Sequence, residues 1–275
     1  MTARGARIRR LLVGRLTWGR LARSAVCVYL GLWLGAHLVA DRMIFHPPPS
    51  DYRVGGEITR IPVSPDGACI AVLACTNPAA RYTILFAHGN AETLADDRFL
   101  LEAYRARGFA AYTFDYRGYG RSDGTPGARR ALEDGEAAYR HLTQTLGVPP
   151  ERIVLHGRSL GGAVALHLAA EHRVAGVIAE STFVTAFRVL TRVPLFPTDV
   201  LRNDRAMRRV RCPVLVIHGT ADTTIPCWHG ERLLALAPPS STAYWAAGAG
   251  HNDVLDTNEA EYWRQVTRFT DGLAR

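Results

Sequence analysis

The chain predicts an α/β fold, a mostly parallel sheet of about eight strands with helices on both faces. Three features carry that expectation. From residue 57 onward, short β-rich runs alternate with helical patterns. The alternation opens on a hairpin signal, "SPDG", set between two β-rich runs. Further along, "RIVLHGRSLGGAVALHLAAEH", residues 152 to 172, joins a β-branched run to an Ala/Leu-rich run through a serine bracketed by Gly157 and Gly161.

In order, the chain begins with residues 1–23, which hold seven arginines and no acidic residue. Residues 24–40, "SAVCVYLGLWLGAHLVA", follow without a charge. At ~1.5 Å per residue they reach about 25 Å against a bilayer core of ~30 Å, a span completed by snorkelling Arg23 and Arg42. This is expected to be an uncleaved transmembrane anchor; a cleaved signal peptide and a core helix are the alternatives. The arginine excess places the amino terminus in the cytoplasm and the rest of the chain on the far side, periplasmic or lumenal. Residues 41–56, with three prolines in "FHPPPSDY", read as a stiff linker, and 57–275 as the α/β domain.

Within that domain, strands are expected at "EITRIPV", "ACIAVLAC", "YTILFA", "FAAYTFD", "RIVLHG", "VAGVIAE", "PVLVIHG" and "STAYWAAG". Helices are expected at about 92–107, 129–146, 160–172, 227–236 and 258–271. Between the sixth and seventh strands, residues 181–210 leave room only for a short cap.

Composition narrows the chemistry. With 48% apolar residues the 275-residue chain can bury a large core. The net charge of +8 suggests nucleic acid, but setting aside the seven amino-terminal arginines leaves 26 basic against 25 acidic residues, so no nucleic-acid partner is expected. Lysine is absent, which excludes Schiff-base chemistry and a Ser/Lys dyad. The five cysteines lack paired spacing, and no metal-ligand pattern occurs; neither metal nor cofactor is expected.

Ser159 lies between a strand and a helix, with glycines two positions before and after it. A nucleophile elbow has this form, because its tight turn brings strand and helix backbones together. Serine then needs a histidine base and a carboxylate to orient it. Elbow-type hydrolases run serine, acid, histidine along the chain, and His251, in the loop after the last strand, is the best placed of the later histidines. For the acid, Asp222 follows the seventh strand, and Glu180, closing the sixth, is its rival. Asp253 reads as a turn residue. The main-chain N–H groups of Leu160 and Asn90 are the expected oxyanion donors, Asn90 also being a candidate N-cap. In the cap, Phe183 and Phe187 are candidate substrate contacts: with Leu190, Val193, Leu195 and Phe196 they alternate with Arg188 and Arg192, as an acyl groove beside anionic headgroups requires. A short helix packing its apolar side on the sheet is the other reading.

"FAHGNAE", "FDYRGYGRSDGTP", "LHGRSLGGAVALHLA", "PVLVIHGTADTTIP" and "GAGHNDV" together resemble the α/β-hydrolase superfamily over residues 57–271. Within it, the chain resembles small membrane-anchored serine hydrolases related to the depalmitoylase-type α/β-hydrolase-domain proteins. The resemblance implies Ser159 as nucleophile, Asp222 as acid and His251 as base. The leading expectation is a membrane-anchored hydrolase of a small-molecule or lipid-like acyl ester or thioester. A non-catalytic scaffold or receptor on the same fold, and a serine peptidase, remain the alternatives.

Overall fold

In the computed structural model, residues 17–50, 52–63 and 67–273 are described. Arg4, Arg7, Arg9, Arg10 and Arg15, and the Ser64–Asp66 part of the hairpin turn, lie outside them. Two compact units divide after Ala40.

Helix α1 (Trp18–Ile44) is 27 residues long, and its length and composition suffice to cross a membrane. It runs beyond the uncharged window on both sides because the flanking Trp18, Leu21 and Ala22 also favour helix. It stops where the proline run begins: the residue before a proline is driven out of the helical region, and His46 precedes Pro47.

Residues 41–56 are not a free spacer, correcting the expectation of a linker. Phe45 is buried in the core. Asp41 Oδ1 accepts from Ala128 N at 2.8 Å. His46 N–H donates to Asn90 Oδ1 at 2.9 Å, and Tyr52 donates to Asp115. Proline stiffness made this stretch look like a spacer; its partners are other parts of the same domain.

Eight strands form one sheet: β1 (Ile58–Val63), β2 (Ala68–Cys75), β3 (Thr83–Ala87), β4 (Ala110–Phe114), β5 (Ile153–Arg158), β6 (Gly176–Glu180), β7 (Val214–Gly219) and β8 (Thr242–Ala246). Their spatial order is β1-β2-β4-β3-β5-β6-β7-β8. Among the described strands, the β1–β2 and β2–β4 pairings are antiparallel and the other pairings are parallel. The central strands are covered on both faces, which is why they read as continuous apolar runs rather than as alternations.

Helices α2 (Arg98–Ala106), α3 (Ala128–Arg140), α4 (Leu160–Glu171), α5 (Asn203–Met207), α6 (Trp228–Leu234), α7 (Val254–Thr257) and α8 (Glu259–Gly272) follow in chain order. The buried residues of α3, α4, α5 and α6 share one core cluster, and those of α2 and α8 the other. Helix α4 is apolar all round and almost wholly buried, as the helix at the centre of a covered sheet must be. Regular α-helix ends at Arg140 and continues as a π turn, His141–Thr145. Helix α2 starts later than residue 92, because Glu92 and Asp96 bond the main chain of Gly89 and Thr93 and so hold 89–97 as turns.

From β3 the chain steps to β4 on one side, then back to β5 on the other. At such a switch point the loops leaving the two strands diverge and open a crevice at their carboxyl ends. Ala87 and Gly157 are register partners there, so the loops after β3 and β5 start side by side. The loop after β4 is tied down by a buried ion pair: Arg117 Nε donates to Asp134 Oδ1 at 2.6 Å, and Arg117 N to Asp134 Oδ2 at 2.8 Å. Burial pushes the Asp134 carboxyl up to about 6 despite the opposing guanidinium. Asp134→Ala is expected to cost about 1.5–3 kcal/mol, since it leaves Arg117 N–H and Nε without their acceptor while the guanidinium keeps Glu133 and Arg130 O; urea denaturation of the folded domain measures it.

Candidate active site

Ser159 connects β5 to α4 with φ +53° and ψ −112°, outside the regions a non-glycine residue prefers. Its neighbours enforce that conformation. Ser159 N donates to Glu180 O at 2.9 Å, Gly162 N donates to Ser159 O at 3.1 Å, and Thr182 Oγ1 donates to the same carbonyl at 2.7 Å. The flanking glycines are required by close approach. A Cβ on Gly157 would lie 2.2 Å from Gly161 O, and one on Gly161 would lie 1.9 Å from Ala87 O.

His251 comes from the loop after β8. Its Nε2 stands 3.0 Å from Ser159 Oγ, and its Nδ1 stands 2.7 Å from Asp222 Oδ2. The loop is held by Ala221 N donating to Ala249 O and by Gly250 N donating to Asp253 Oδ1, so Asp253 is a turn residue as expected. Asp222 is buried, in the turn after β7, and its Oδ1 accepts from Thr224 N at 2.9 Å and Ile225 N at 2.7 Å. Burial alone would raise its pKa. The His218 and His251 imidazoles and the Ile225 N–H more than offset that, holding the carboxyl well below the usual range. An ionised carboxylate behind the imidazole fixes the tautomer that leaves Nε2 free to accept a proton from the serine.

The rival acid has other partners. Glu180 is buried, accepts from Tyr262 Oη at 2.7 Å and lies 3.0 Å from His156 Nε2. Burial opposes its ionisation, but His156, Arg158 and Tyr262 hold the carboxyl down to about 2. His167 and His172 both face Glu136, and His229 Nδ1 accepts from Val184 N. His218 Nε2 lies 2.7 Å from Ile225 O.

Leu160 is the first residue of α4, so its N–H has no intrahelical acceptor and sits at the positive end of the helix. Asn90 follows β3, but it is not an N-cap, because α2 begins eight residues later behind Asp97. Its side chain instead accepts from His46 N and Tyr119 Oη and donates to Ile44 O. Phe183 is 5% exposed, which leaves little ring for a substrate and corrects its reading as a groove residue. Its position directly after the β6 exit puts it in the core. Phe187 is half-buried in a short turn, Phe187–Val189, edge-to-face with Phe196, while Leu190, Val193 and Leu195 are exposed.

Sequence reasoning passed over Arg158 and Glu92 as braces around this site, and read Asp115 only as a brace of its own glycine-rich loop. Arg158, one residue before the serine, pairs with Glu92 at 2.6 Å, and Glu92 also accepts from Gly89 N. Asp115 accepts from Leu94 N at 2.7 Å. The local signals were the position of Arg158 inside the elbow motif and that of Asp115 between a strand and a glycine-rich loop.

The two carboxylates give separable outcomes. Asp222→Asn is expected to lower hydrolytic kcat by about 10²–10⁴-fold with little loss of folded protein. Glu180→Gln is expected to cost about 1.5–3 kcal/mol of stability and to leave kcat per folded molecule within a few-fold. Parallel kinetics and thermal denaturation distinguish the two.

Comparison with known proteins supports the same architecture. The serine aminopeptidase (S33) hydrolase family matches residues 78–203. α/β-Hydrolase domain-containing protein 17C of Xenopus tropicalis is 35% identical over 211 residues, 74% of this chain and 66% of that protein. The aho-3 protein of Caenorhabditis elegans, also α/β-hydrolase domain-containing, is 34% identical over 206 residues, 72% of this chain and 61% of that protein. This chain thus spans somewhat under two thirds of these relatives' length. An esterase of Pyrococcus furiosus superposes with a TM-score of 0.69 at 18% identity, covering 82% of this chain and 98% of the esterase. An esterase of Rhodococcus does so with 0.64 at 22% identity, covering 79% and 100%. The sheet order, the strained serine at the β5 exit and these likenesses together make the chain a member of the α/β-hydrolase superfamily.

Proposed function

We propose that the protein is a membrane-anchored serine hydrolase that cleaves a carboxylic ester or thioester through an acyl-enzyme intermediate. The observation that carries this reading is the continuous hydrogen-bonded line Ser159 Oγ, His251 Nε2, His251 Nδ1, Asp222 Oδ2, with separations of 3.0 and 2.7 Å. Ser159 Oγ attacks the acyl carbon as its proton passes to His251 Nε2, and the Asp222 carboxylate stabilises the imidazolium. The N–H groups of Leu160 and Asn90 receive the developing oxyanion. As the tetrahedral intermediate collapses, the leaving alcohol or thiol takes the proton from His251, and the acyl group remains on Ser159. A water then attacks that ester, giving its proton to His251. The second collapse frees the acid and returns the proton to Ser159 Oγ.

Helix α1 supports the anchor, and the amino-terminal arginines support a cytoplasmic amino terminus with the hydrolase domain across the membrane. The exposed cap residues Leu190, Val193 and Leu195, with Phe187 beside them, support an acyl substrate of lipid-like character.

Ser159→Ala is expected to lower turnover of p-nitrophenyl esters by about 10³-fold or more and to abolish labelling by a fluorophosphonate. Retained turnover in the purified variant overturns the assignment. The full-length chain is expected in the membrane pellet after alkaline carbonate washing; its appearance in the supernatant overturns the anchor.

A further inference from the structure

We propose that the segment between α1 and the sheet is a positioning clamp for the loop that presents the Asn90 N–H, acting through Asn90, Tyr119 and the Tyr52–Asp115 pair. The inference rests on the serine-hydrolase reading and adds a control on its oxyanion geometry.

Three bonds fix the Asn90 amide. Its Oδ1 accepts from His46 N at 2.9 Å and from Tyr119 Oη at 2.6 Å, and its Nδ2 donates to Ile44 O at 2.6 Å. Two donors facing one end and a carbonyl facing the other leave a single orientation for the amide. Tyr119 Oη also accepts from His46 N at 3.1 Å, closing a ring among segment, loop and Tyr119. A second link enters the same loop further on: Tyr52 Oη donates to Asp115 Oδ2, while Asp115 Oδ1 accepts from Leu94 N at 2.7 Å. Residues 90 and 94 are therefore both tied, directly or through one side chain, to residues 44–52.

The loop needs such support. Ala91 has φ +57°, a left-handed conformation that strains a residue with a Cβ. That strain falls on the residue next to the expected donor. On its other flank the loop is held by Gly89 N on Glu92, which pairs with Arg158, and by Tyr116 Oη on His88 O. The elbow thus braces one side of Asn90 and the 44–52 segment the other. Asp41 provides an internal control. It fastens the last turn of α1, from which the segment leaves, to the first turn of α3, not to the loop.

The test uses the full-length, detergent-solubilised protein, with each preparation titrated by fluorophosphonate so that rates are per reactive serine. Tyr119→Phe removes the hydroxyl from Asn90, and Tyr52→Phe removes the link to Asp115. Each is expected to lower kcat for a p-nitrophenyl ester about 5–20-fold with KM within two-fold, a fraction of the ~10²–10³-fold that follows outright loss of an oxyanion donor. Affinity for a trifluoromethyl ketone, whose serine adduct places a negative oxygen in the same position, is expected to fall in proportion. Asp41→Ala, which removes the acceptor of the Ala128 N–H, is expected to leave both quantities unchanged. Unchanged kcat and ketone affinity in the two tyrosine variants overturn the clamp, as does an equal fall in Asp41→Ala, which would reflect segment docking alone. If the unaltered chain is not labelled at Ser159, the serine-hydrolase reading falls and the clamp with it; normal labelling with unaffected variants overturns the clamp alone.

Discussion

Main-chain contact at the β5 exit is the constraint on which the rest of the structure depends. Gly157 touches the first turn of α4, and Gly161 in that turn touches the carbonyls of Ala87 and His88. Neither contact has room for a Cβ. Because three backbone segments meet there, Ser159 is held at a positive φ, the N–H of Leu160 is left free at the helix start, and the loop after β3 begins beside the serine. The apolar, small-residue character of α4 follows from the same requirement, since a helix this close to the sheet is buried on nearly every side.

Buried charge around this junction is sorted into two sets. Asp222 faces the imidazole of His251 and is held ionised by two main-chain N–H groups and two histidines. Glu180, with His156, Tyr262 and the neighbouring Arg158, makes a separate buried network on the β5 and β6 ends. Both carboxylates are ionised against the cost of burial, so low pKa alone does not distinguish an acid that acts on a histidine base from one that braces strands. The partner does: only Asp222 reaches the histidine that also reaches Ser159.

The last turn of α1 from Asp41 and the segment after it belong to this picture, in the same compact unit as the sheet. Phe45 sits in the core, Asp41 caps α3, and His46 and Tyr52 reach the loops after β3 and β4. Prolines 47–49 suit that task, because a chain that is already extended loses less entropy on being pinned at several points.

By itself the sequence determined the strand and helix alternation, the elbow at Ser159, and the histidine loop after the last strand. Each is written in a local pattern: apolar runs bounded by turn residues, glycines at fixed offsets from a serine, and order along the chain. Tertiary structure decided what local pattern cannot encode. Glu180 ends β6 and Asp222 lies in the turn after β7, at the same edge of the sheet, and the difference lies in partners such as Tyr262, 82 residues from Glu180. Phe183 and Phe187 lie four residues apart in one apolar stretch, yet Phe183, three residues past the end of β6, is core and Phe187, in the turn Phe187–Val189, is half-buried. Residues 41–56 read as a spacer, since their hydrogen bonds reach across 44 to 87 positions. Side-chain hydrogen bonds carry no periodicity in sequence; they are chosen only when folding brings a donor within about 3 Å of an acceptor.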